Sequence, residues 1–199
     1  MKKIVVGLLI FTSTFSYSQK KKINTRANTE YRKHIKSFYG KLTPNNYETI
    51  VDSLELNSKT KLDSRKKIYI HFQQKANNCI MFGQKENSVE IIISNIERIS
   101  DEITKNNQTQ RLLVFNQNSF FKDQLSKKSN WKLDTGFFIR NIFTEDKICE
   151  AFFILKPNGE FYKFYGSDHF TLVKVLLENE YWLEGKILIP YVARLKRKR

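Results

Sequence analysis

The sequence predicts an α/β protein: a mixed β-sheet flanked by helices, with a two-helix extension in front of it. Three observations carry this expectation. From Ile68 onward, short apolar runs alternate with helical periodicities in the order strand, helix, strand, helix. One further strand and a strand pair joined by a Pro-Asn-Gly turn follow, and then a last helix. Strands separated by helices pair in parallel through right-handed crossovers, so the hairpin must add antiparallel strands to the same sheet.

The chain opens MKKIVVGLLIFTSTFSYSQ. Lys2 and Lys3 precede an apolar run from Ile4 to Phe11, followed by small residues, with Ser16 and Ser18 in a small-x-small pattern. This is the form of a cleaved signal peptide over residues 1–18. The run is far shorter than the ~20 residues that span a bilayer. The expected location is therefore periplasmic or secreted, and no integral membrane protein is expected once the signal is removed. Residues 19–65 then hold a flexible start and the helical extension. Tyr31, Ile35, Phe38 and Leu42 recur at helical spacing. In TPNNYETIVDSL, Thr43 is an N-cap and Pro44 the first helical residue, with a stripe of Tyr47, Ile50, Val51 and Leu54.

KIYIHF reads as a strand through its β-branched and aromatic residues. A helical segment then seats Val89, Ile92, Ile93, Ile96, Ile99 and Ile103 on one face, with Asn87 and Glu90 at capping-box spacing. RLLVFN, apolar on both sides, suits a strand covered on both faces. SFFKDQLSKK reads as a short helix and GFFIRNIF, residues 136–143, as a strand. In EAFFILK-PNG-EFYKFYG, Asn158 and Gly159 supply the positive-φ positions of a tight hairpin. SDHFTLVKVLLEN is a helix capped by Ser167 or Asp168, and KILIPYV, residues 186–192, an edge strand ahead of a basic tail. These elements divide the mature chain into a domain over 66–185 and a C-terminal strand and tail over 186–199.

A formal net charge of +15 raises the question of nucleic acid. The positives are spread along the chain, however, and peak at its ends, QKKK and ARLKRKR. Such blocks are solvated tails, and an exported protein meets anionic envelope surfaces first. Specific nucleic-acid binding is thus not expected, and any protein partner is unknown. HExxH, GxSxG, P-loop and GxGxxG patterns are all missing from the sequence. Adjacent carboxylates such as Asp101-Glu102 and Glu145-Asp146 read as solvated surface, and Trp131 and Trp182 as packing residues. His34, His71 and His169 are far apart, and His71 is expected on one face of its strand with a neighbour satisfying it. Nothing calls for a metal or a cofactor.

Two cysteines remain, Cys79 and Cys149, too far apart for a CxxC pair. From the residues alone, three readings stand: a disulfide suited to an exported protein, two buried thiols acting as small apolar groups, or a reactive Cys79.

Over residues 66–180 the element order resembles the thioredoxin-like superfamily. Strand IYIHF followed by a polar loop and Cys79 sits where that family has its first core strand and CxxC turn. FFILKPNGEFYKFYG is similar to its hairpin, with Gly159 and Gly166 in place. The chain departs from the family at two points. KANNCIMF has one cysteine and no Trp, and KICEAFF has Cys149 where the family's cis-proline stands. The resemblance implies that Cys149 faces Cys79 across the sheet end, within bridging reach. It implies a divergent thiol-disulfide or peroxide-related protein with Cys79 and Cys149 as the site. The alternative is a non-catalytic binding or scaffold module of the envelope with structural cysteines.

Overall fold

The computed structural model describes residues 29–179, apart from 78, 80, 82 and 168. The segment read as a signal peptide, Trp182, the strand expected over 186–192 and the basic tail lie outside the described residues. The architecture is α/β, a six-stranded mixed sheet flanked by helices, in the order β1-β6-β5-β2-β3-β4.

The first elements depart from the sequence reading. The helix expected through Leu42 is instead a five-residue helix, α1 (Thr29–Lys33), and a strand, β1 (Lys36–Lys41). β1 pairs antiparallel with the hairpin's second strand and so belongs to the sheet. Gly40 leaves room there for the Phe161 ring, which an added Cβ would approach to 2.9 Å. α1 is held separately, with Tyr31 buried and its hydroxyl accepting the Ser167 N–H. α2 (Pro44–Ser58) starts as expected, with the Thr43 hydroxyl accepting the Asn46 N–H at 3.3 Å.

β2 (Lys67–Gln73) is the centre of the molecule, parallel to β3 (Thr109–Asn116) and antiparallel to β5 (Glu150–Leu155). The crossover between β2 and β3 is α3 (Glu86–Asn106). Its N-cap is Lys85 with no side-chain cap, so the Asn87–Glu90 capping box does not form. α4 (Lys122–Ser126) then leads into β4 (Trp131–Asp134), a four-residue strand parallel to β3 that the sequence reading lacked.

The strand expected over 136–143 is a helix, α5 (Phe137–Asn141). The buried Asp134 decides this. Its carboxylate accepts the N–H groups of Gly136, Phe138 and Ile139 at 2.8–3.0 Å, and Gly136 supplies the positive φ of 110° that turns the chain. The hairpin forms where expected, β5 with β6 (Glu160–Tyr165), but of its turn residues only Gly159, at φ 82°, has a positive φ and Asn158 does not. α6 (Phe170–Glu178) follows, and its N-cap is His169 without a side-chain cap.

Strand alternation sorts the core into two layers. Ile68, Ile70, Phe72, Leu112, Val114, Ala151, Phe153 and Leu155 meet Val51 and Leu54 of α2 and Phe138 of α5. On the other face, Tyr69, Phe152, Ile154, Tyr162 and Phe164 meet α6 and Ile103 of α3. Leu113, Phe115 and Trp131 meet the first half of α3 beside both cysteines.

Candidate functional site

The two sequence-predicted site residues meet. Cys79 and Cys149 form a disulfide with a Cα–Cα distance of 5.2 Å, inside the range a disulfide requires. The reason is topological. β2 and β5 are antiparallel neighbours, so the loop leaving β2 and the residue entering β5 emerge at one end of the sheet. Main-chain hydrogen bonds fix Cys149 there, because the Gln74 N–H donates to its carbonyl at 2.9 Å. The Gln74 side-chain amide donates to the carbonyls of Glu145 and Ile148 at 2.6 and 2.7 Å, pinning the segment before β5.

The cystine is enclosed. Cys79 is 6% exposed and Cys149 0%. Both lie in an apolar cluster with Met81, Val89, Ile93, Phe115 and Trp131. Two sulfurs in such a setting are accessible to another thiolate only if the surrounding side chains part.

Next to the cystine runs a buried polar chain whose members are spread over nearly a hundred residues of sequence. His71 lies on the inner face of β2 and is fully buried, as is His169 just before α6. The His71 Nδ1 and His169 Nε2 atoms are 3.2 Å apart. His169 Nδ1 lies 2.8 Å from the Gly166 carbonyl, which only accepts, so that nitrogen carries the proton. His169 Nε2 is then the acceptor for the His71 Nδ1–H. The His71 Nε2 left over accepts from the Gln73 amide at 3.0 Å, and the same amide donates to Glu150 Oε1 at 2.8 Å. These contacts place a proton on Nδ1 of both rings, and each of these steps has a donor and an acceptor. Burial, with the nearby His169 and Arg111 adding to it, holds the His71 pKa well below the usual 6.5. Burial likewise pushes the Tyr69 hydroxyl far up, with Glu150 contributing.

The sequence pointed to His71 as a satisfied strand histidine, and its partners bear that out. It gave no sign of the pairing with His169, 98 residues away, or of Gln73 and Glu150 as the far end. Trp131 is a packing residue as expected, its indole N–H donating to Glu97 at 3.1 Å. A cleft of about 510 Å³ lies at the opposite end of β2, lined in part by Lys66, Lys67, Asn107, Lys156 and Asn158, so the cystine is not at its floor. Among the described residues, no group of His, Cys, Asp and Glu is arranged to hold a metal, and no helix is long and apolar enough to cross a membrane.

Fold and site together define an α/β protein whose mixed sheet is cross-linked at one end, beside a buried histidine chain. The chain matches no family model, no curated protein and no solved structure.

Proposed function

We propose that this protein is an exported, thioredoxin-like binding or scaffold module in which Cys79–Cys149 is a structural cross-link. The observation that carries the reading is the enclosure of both sulfurs within an apolar cluster. An exchanging disulfide presents one sulfur to its partner, and here neither is presented. The thioredoxin-like part of the reading is supported by the hairpin lying beside the parallel pair β2 and β3 in one sheet. Export is supported by the disulfide, which persists in oxidising compartments, together with the signal-like start of the sequence. The basic tail is assigned to weak contact with anionic envelope surfaces.

A second reading, divergent thiol-disulfide or peroxide-related chemistry at Cys79 and Cys149, is favoured by one observation. The polar chain from His169 to Glu150 ends on the residue after Cys149. Thiol titration separates the two. The native protein is expected to show no free thiol and to resist millimolar dithiol for hours. Two thiols are expected only after reduction in denaturant. Reduction of the folded protein within minutes, with a fast-reacting Cys79, would overturn the structural reading in favour of exchange.

A further inference from the structure

Among the described residues the outer edge of the sheet is β1, which has a strand on one side only. The Leu42 N–H donates to Gly159 O across the β6 side. Main-chain groups alternate along a strand, so Ser37, Tyr39 and Lys41 turn their N–H and C=O groups to the open side. Proteins usually blunt such edges with a proline, a bulge or a very short strand. β1 has none of these, and its lysines, a further blunting device, stand only at its two ends: it runs for six residues in unbroken register with β6 and contains no proline. Two aromatic side chains stand on it in the open, Phe38 at 41% exposure and Tyr39 at 61%. They occupy opposite faces of the strand, Phe38 opposite Lys163 and Tyr39 opposite Tyr162. The surrounding charge is positive. Lys41 closes the strand, Lys36 opens it and is paired with Glu145 at 2.6 Å, and the Lys163 ammonium sits 5.0 Å over the Phe38 ring.

We propose that β1 is a docking edge for an extended acidic segment of a partner protein. The segment adds as a new edge strand, its backbone bonding Ser37, Tyr39 and Lys41. Its apolar side chains lie on Phe38 and Tyr39, and a carboxylate lies near Lys41. Strand addition gives affinity through the main chain and selectivity through the alternate side chains. Charge selects the occupant. A second copy brings the same lysines and the same net +15, and residues 186–199 of the chain itself, which take in the strand expected over 186–192, hold six basic residues and no acidic one. The inference names the partner class for the module proposed above and in that sense rests on it. Its probe addresses the edge and not the cystine, so a failure here leaves the outcome of the thiol titration standing.

The test uses the purified protein and a labelled, end-blocked hexapeptide, Glu-Val-Thr-Ile-Thr-Glu, read by fluorescence anisotropy. The peptide is expected to bind at least tenfold more tightly than a version with Lys in place of both Glu. Methylating its alternate backbone nitrogens should abolish binding for one alternate set and leave it intact for the other. Tyr39→Pro removes an outward N–H without touching the β6 ladder and should abolish binding at unchanged secondary structure. Lys41→Glu should invert the charge preference, which keeps the test decisive if the proline variant misfolds. The proposal is overturned by no binding at millimolar peptide, by equal binding of the lysine version, or by indifference to both methylated sets. It is also overturned by a dimer that Tyr39→Pro dissociates, or by binding that emerges only when residues 180–199 are removed.

Discussion

His71 illustrates how much one side chain depends on the whole sheet. It is an imidazole in the dry interior of β2, held neutral chiefly by burial, with His169 and Arg111 adding to it. A histidine in the unfolded chain takes up its proton near pH 6.5, whereas buried His71 stays neutral well below that. As pH falls through 6.5 the unfolded state therefore binds the extra proton and the native state does not. Stability is full above that pH and is lost below it, down to the folded value, by up to about 1.4 kcal/mol per pH unit. Urea unfolding at pH 7.5, 6 and 5 measures this, and His71→Phe should reduce the slope. A second readout is the ¹⁵N spectrum of the imidazoles at pH 7.5, where both buried rings should show the proton on Nδ1.

At the scale of single elements, Asp134 supports more structure than its size suggests. One carboxylate satisfies three N–H groups at the start of α5 and turns a Phe-Phe-Ile run away from the sheet. Asp134→Ala should cost about 2 kcal/mol in urea unfolding, since it strands donors in a buried position, and Asp134→Asn less, since one acceptor survives. This element also marks the limit of reading the sequence. The hairpin was legible because Asn158-Gly159 is a local signal, and Gly159 is needed twice over: a Cβ would sit 2.7 Å from the Leu42 carbonyl. α3 was legible through its long isoleucine periodicity, though its expected capping box was not used. The region 31–42 misled because Tyr31 and Phe38 fit one helical stripe while serving separate elements. Its strand exists through pairing with β6, more than a hundred residues away. β4 is too short, and α5 too apolar, for periodicity to identify either. The residues alone left the cysteine pair as one of three readings, and only the family resemblance implied it, whereas the histidine chain needed three-dimensional register.

For the molecule as a whole, the cystine is the largest single covalent constraint. It closes a span of 70 residues between two neighbouring central strands. Loop closure on that scale stabilises by about 4 kcal/mol in the chain-entropy account. The Cys79→Ala, Cys149→Ala double variant should lose about that much in urea unfolding. A loss under about 1 kcal/mol would mean that the unfolded chain is already compact there.

Everything from the loop after β2 to the entry of β5, including two of the three parallel strands, hangs from the rest of the protein as a closed ring. Tension applied between the chain's two ends bypasses that ring through a single sulfur–sulfur link. A stretched molecule would therefore come up short by roughly 240 Å of contour, at about 3.4 Å for each enclosed residue, until a reductant opened the link.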